Sequence, residues 1–97
     1  MKSYYVYILK CSDDTYYTGV TSNINKRYAQ HQSGYYKDSY TSKRLPVELV
    51  FYAEFSMPGI AIEREKQIKK WSKAKKEALI NNEFENLPNL AKKKFQK

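Results

Sequence analysis

The sequence predicts an α+β domain in which a small three-stranded antiparallel sheet is flanked by helices, in the order ββαβαα. Three observations carry that expectation. Runs rich in aromatic and β-branched residues, Tyr4 to Cys11, Tyr16 to Val20 and Val47 to Phe55, read as strands. Thr21, Ser22 and Asn23 offer helix N-caps just before Ile24, and Gly34 stands where a left-handed residue closes a helix. Pro58 and Gly59 then mark the start of a second helical stretch.

The elements follow in chain order. Ser12-Asp13-Asp14 is a turn signal, because short polar side chains bond to nearby backbone groups. It joins the first two strands into a hairpin. The first helix runs from Ile24 to Ser33, with Ile24 and Tyr28 forming the stripe that docks it on the sheet. Tyr35 to Arg44 is polar, has no clear period, and reads as a loop or short helix. Pro46 precedes the third strand. A helix from about Pro58 to Lys70 follows, then a further helical piece from about Ser72 to Asn81. Leu87-Pro88-Asn89 breaks the pattern. The expected division is a domain over residues 1–83 and a basic tail over residues 84–97.

Composition narrows the class of function. A chain of 97 residues is one domain's length. Eighteen Lys and Arg against ten Asp and Glu leave a formal charge of +8, and 11 of those basic residues lie between Arg64 and Lys97. Such an excess favours polyanions, nucleic acid before anionic membrane surface, through counterion release. It also serves solubility alone. Cys11 is a single cysteine, so an internal disulfide and a cysteine-built zinc site are excluded, and packing is its expected role. No apolar run approaches the roughly 20 residues that span a bilayer, and the first residues lack the apolar core of a signal peptide. A cytoplasmic protein is expected.

Ten tyrosines stand out. Tyr5-Val6-Tyr7 and, ten residues later, Tyr17-Thr18-Gly19 sit on the hairpin; each alone is ordinary strand composition. Arg27 and His31 change the picture, because positions four apart share a helix face. A guanidinium beside an imidazole makes a poor core surface and a good phosphate site. On the later helix, Glu65 falls among Ala61, Ile62 and Ile68 on the apolar arc, while Glu63 points almost opposite. A carboxylate on a buried arc needs a partner. A hard cation completed by phosphate and water is one; a salt bridge to Arg27 is another, and spacing does not separate them.

Together these residues resemble the GIY-YIG endonuclease superfamily, over about residues 4 to 81, and within it the small bacterial stand-alone, UPF0213-like members. The resemblance implies roles for particular residues. Tyr7 matches the first-motif tyrosine that serves as general base, and Tyr17 the second-motif tyrosine that assists by hydrogen bonding. Arg27 would hold the scissile phosphate, and His31 would shuttle a proton or position phosphate. Glu65 would ligate one divalent cation, Mg²⁺ or Mn²⁺, that stabilises the leaving oxygen. Lys26, Lys43, Arg44, Lys69 and Lys70 are expected to meet the nucleic-acid backbone. The first motif carries Tyr5 where the family has glycine, and Thr18 replaces the isoleucine of the second. No match is assigned to the asparagine that some members place after the metal glutamate.

The implied function is metal-dependent hydrolysis of phosphodiesters in nucleic acid, DNA before RNA, with low sequence specificity, by a monomer or weak dimer that spans no membrane. A nucleic-acid-binding module of the same fold with little or no cleavage is the alternative; a basic interaction protein that binds no nucleic acid is the third. The nuclease reading has a geometric consequence. Tyr7 and Tyr17 share a face only if the hairpin connection is odd in length, such as Ser12 to Asp14, or a bulge compensates.

Overall fold

The computed structural model describes residues 2–35 and 39–81. Strand β1 spans Tyr4–Lys10, β2 Tyr16–Thr21, helix α1 Ile24–Gln32, β3 Glu48–Phe55, α2 Pro58–Lys69 and α3 Lys73–Ile80. The strands form an antiparallel sheet ordered β2-β1-β3. The order ββαβαα is the one the sequence predicts, with element ends moved by a residue or so. The expected basic tail, and the break at Leu87-Pro88-Asn89, lie outside the described residues.

The hairpin is closed by local chemistry. The Asp14 amide donates to the Cys11 carbonyl at 3.0 Å and the Cys11 amide to the Thr15 carbonyl at 2.8 Å. Asp14 has φ +67, a left-handed conformation that Asp tolerates better than most residues. With Cys11 bonded to Thr15, the connection is the odd one, Ser12 to Asp14. Register follows: Tyr7 opposes Gly19 and Leu9 opposes Tyr17. Both motif tyrosines therefore face the same side.

Alternation along β1 sorts the core into two clusters. Val6 and Ile8 point to one face, where they pack with Ala61 and Ile68 of α2 and Leu79 of α3. Tyr7 and Leu9 point to the other, where they pack with Cys11, Val47, Ile24 and Tyr28. The docking stripe expected on α1 is thus observed, and Cys11 is a buried free thiol as expected. Between Ile8 and Leu9 the β1–β3 register shifts at a bulge. That irregularity lets Val50 and Phe51, neighbours in sequence, both pack against the α2 cluster.

Caps set the helix ends. The Asn23 side chain accepts the Lys26 amide, and Ser72 does the same for Lys75. Gly34 has φ +72, and the Gly34 and Tyr35 amides donate to the carbonyls of His31 and Gln30. In α2 the phase differs from expectation. Ala61, Arg64, Glu65 and Ile68 are buried, whereas Ile62 is 44% exposed. Those four repeat at i, i+3, i+4 and i+7, which puts Ile62 a full 100° to the side. Glu65 falls on the buried face and Glu63 on the exposed one, as expected.

Candidate active site

A glycine lets the site form. The Tyr7 ring rests on Gly19: a Cβ there would stand 2.5 Å from the Tyr7 hydroxyl oxygen and 2.6 Å from Cζ. A residue without a side chain is what admits the ring. Tyr7 is 1% exposed, and its hydroxyl oxygen lies 3.0 Å from Nε2 of His31.

His31 reaches the sheet because it follows Ile24 and Tyr28 on one helix face, at i, i+4 and i+7. Its imidazole is buried, with its ring 5.2 Å from that of Tyr17 and 5.9 Å from that of Tyr7. Nδ1 lies 2.8 Å from the hydroxyl oxygen of Thr41. Burial, and after it the positive charge of Arg27, pushes the imidazole below its usual range, so it is neutral at pH 7.

Arg27 stands one turn before His31. With Thr21, Ser22, Asn23, Lys26 and Gln30 it lines a polar cavity of about 390 Å³ at the start of α1. Two cations, Lys26 and Arg27, converge there, a setting that favours anions. Tyr17 is stacked at 6.2 Å on Tyr40, and the Arg44 guanidinium lies 3.9 Å above the Tyr40 ring. Arg44 also pairs with Asp13 at 2.9 Å and donates to the Tyr40 carbonyl. The loop that carries Tyr40 and Thr41 is thereby clasped to the hairpin turn.

The structure brings Tyr7, Tyr17 and His31 into contact, with Arg27 beside them. Glu65 sits on α2, against the other face of the sheet, and its carboxylate pairs with Lys69 at 3.1 Å. Among the described residues it makes no hydrogen bond or ion pair with the tyrosine–histidine group, and Lys69, not Arg27, is its salt-bridge partner. Of the basic residues expected at a nucleic-acid backbone, Lys26 lines the Arg27 cavity, and Lys43 and Lys70 are exposed. Arg44 and Lys69 are engaged by Asp13 and Glu65. Sequence reasoning did not single out Thr41 or Tyr40. Their segment has no period, and the run of hydroxyls Ser39, Thr41 and Ser42 is the only signal it offers.

The model of the GIY-YIG catalytic domain matches residues 3–78. The chain belongs to the GIY-YIG family. A UPF0213 protein of Syntrophus aciditrophicus is 47% identical over 87 residues, covering 90% of this chain and all of the relative. A UPF0213 protein of Natronomonas pharaonis is 46% identical over 80 residues, 82% of this chain and 93% of the relative. The solution NMR structure of a UPF0213 protein from Bacillus halodurans aligns with a TM-score of 0.55 at 36% identity, covering 92% of this chain and 97% of that one. GIY-YIG domains are nuclease domains, which places the family's chemistry in nucleic-acid cleavage. Within this GIY-YIG domain, Thr18 occupies the packing position of the second motif: it is 2% exposed, on the α2 face, and its Oγ1 has no hydrogen-bond partner among the described residues.

Proposed function

We propose that the protein is a metal-dependent endonuclease that hydrolyses phosphodiester bonds in nucleic acid, DNA before RNA, with low sequence specificity. The observation that carries this reading is the convergence of two phenols and a neutral imidazole beside Arg27, in a chain of the GIY-YIG family. A cytoplasmic protein acting as a monomer or weak dimer belongs to the same reading. So does the division into a nuclease domain over residues 1–83 and a basic tail that adds phosphate contacts.

Each side chain has a task. A free phenol titrates near 10 and an imidazole near 6.5, so complete transfer of the Tyr7 proton to His31 is uphill by about 5 kcal/mol or more. Transfer in concert is easier. As Tyr7 Oη takes a proton from the attacking water, its own proton passes to Nε2, 3.0 Å away. The water oxygen bonds to phosphorus while the bond to the leaving oxygen breaks. Arg27 binds the non-bridging oxygens, where negative charge accumulates. Tyr17 donates a hydrogen bond to the same group.

Glu65 fits a divalent cation of the kind that takes one protein carboxylate and fills its other positions with phosphate and water. Its side chain is 12% exposed and its partner Lys69 is 58% exposed, so the pairing is easily exchanged. Among the described residues no group of three His, Cys, Asp or Glu is assembled, which suits that single-carboxylate mode. A cation held there would act as a Lewis acid on the phosphate and its leaving oxygen. Because β2 is an outer strand, with α2 on one face and the His31 of α1 against Tyr17 on the other, this role suits a substrate that crosses the β2 edge.

A second reading, a nucleic-acid-binding module with little or no cleavage, draws on the pairing of Glu65 with Lys69 away from the tyrosine group. Incubation with supercoiled, single-stranded and branched DNA separates the two. The nuclease reading expects cuts with Mg²⁺ or Mn²⁺ and none with chelator; tight binding without cuts under either metal supports the module.

A further inference from the structure

The loop between α1 and β3 lies outside both tyrosine motifs, yet it sets a hydroxyl behind the histidine. Thr41 is 1% exposed, and its Oγ1 lies 2.8 Å from His31 Nδ1 and 3.3 Å from Ser39 Oγ. The segment around that hydroxyl is held by its own hydrogen bonds. Ser39 Oγ accepts the Ser42 amide at 3.2 Å, the Ser42 hydroxyl donates to the Ser39 carbonyl, and the Thr41 carbonyl accepts the Arg44 amide. Arg44 is in turn anchored on Asp13.

A neutral imidazole carries its hydrogen on one nitrogen, and the bond that nitrogen makes decides what the other can do. When the Thr41 hydroxyl is the donor in its hydrogen bond to Ser39 Oγ, its lone pairs remain toward Nδ1. Nδ1 then bears the hydrogen, and the Nε2 lone pair points at the Tyr7 hydroxyl. The other tautomer aims an N–H at the Tyr7 oxygen and cannot take the phenol proton. We infer that Thr41 is a positioning residue that holds His31 in the Nδ1–H tautomer, so that Nε2 accepts from Tyr7. The catalytic consequence rests on the nuclease reading; the tautomer belongs to the resting protein. The groups facing the imidazole are Tyr7 from β1, Tyr17 from β2, Arg27 from α1 itself and Thr41 from the loop. Among the described residues only Arg27 of these is charged, and a cation does not draw a proton onto Nε2.

His31 is the single histidine of the chain, so its ring nitrogens are read without ambiguity in a ¹⁵N-labelled sample near pH 7.5. The wild type and Thr41→Ser are expected to show a protonated Nδ1 and a bare Nε2. Thr41→Val, which keeps shape and loses the hydroxyl, is expected to show a mixed or reversed tautomer. A wild-type ring protonated on Nε2, or a Thr41→Val spectrum equal to the wild type, overturns the inference. Should Thr41→Val fail to fold, the wild-type and Thr41→Ser spectra decide. In single-turnover cleavage, Thr41→Val should be slower by about 10- to 100-fold at unchanged affinity, the scale on which orienting partners act. Thr41→Ser should restore the rate, and a fully active Thr41→Val again overturns the inference. If the wild type cuts nothing, the nuclease reading fails by itself, while the nitrogen spectra still decide the role of Thr41.

Discussion

Gly19→Ala tests how Tyr7 is held. The new methyl would lie 2.5 Å from the Tyr7 hydroxyl oxygen, and ordinary contact begins at 3.4 Å, so the ring must retreat by about 0.9 Å. At 1% exposure Tyr7 has nowhere to go without displacing its neighbours. Displacing the ring also disturbs the 3.0 Å bond between its hydroxyl and His31. Overpacking costs about 1–3 kcal/mol and an orphaned buried polar group about as much again. Against this, alanine gains roughly 0.4–1 kcal/mol by restricting the unfolded chain. The net loss is about 1–5.5 kcal/mol, or on the order of 5–40 °C in Tm for a domain of this size. Gly59→Ala is the control: nothing lies within 4 Å of its Cβ, so it should be neutral or slightly stabilising. Thermal melts of the three proteins check the pair. A Gly19→Ala protein that melts with the wild type and cleaves at its rate refutes the seating of Tyr7 on Gly19.

Three further outcomes follow from buried polar groups. His31 has its folded pKa below the ordinary value, through burial and then Arg27, so the unfolded chain binds the proton more readily. Its contribution to stability is therefore complete above about pH 6.5 and is lost as pH falls through the lower folded value. Urea midpoints between pH 7.5 and 5 should show that loss in the wild type and less of it in His31→Gln; equal slopes would count against it. Thr18→Val removes a buried hydroxyl without a partner among the described residues, so it should raise stability by about 1 kcal/mol in urea melts, and a destabilised variant would contradict this. Glu65→Gln should abolish metal-dependent cleavage with little change in fold, and Glu63→Gln, on the exposed face, should do almost nothing; the reverse pattern would reassign the metal ligand.

Much of this architecture was legible because short-range rules govern it. The spacing of Ile24, Tyr28 and His31 sets the α1 face, and the need for two phenols on one face predicts an odd hairpin connection, which Asp14 provides in a left-handed conformation. What was not legible depends on tertiary contacts. Thr41 gains its place only when Arg44 binds Asp13, 31 positions away across β2 and α1. Ile62 falls outside the buried arc and Arg64 within it, because an arc drawn from apolar residues alone ignores that a long basic side chain can bury its stem. The tyrosines, by contrast, were visible but ambiguous: strand composition and a catalytic cluster look alike until the register is known.

Arg27→Ala bears most directly on whether this centre cuts or only binds. Its guanidinium lines the cavity at the start of α1 and is the charge felt by His31. Loss of one preorganised donor to a transition state typically costs about 3–4 kcal/mol of barrier, a factor of about 10²–10³ in rate. As one phosphate contact among many in a chain of +8 charge, it matters far less to binding. The measurement is single-turnover cleavage and equilibrium binding of the same DNA by wild type and Arg27→Ala, with Mg²⁺. The Arg27→Ala rate should be at least about a hundredfold lower, with affinity reduced only a few-fold. A collapse of affinity, with a wild type that cuts no substrate under any divalent metal, would contradict it.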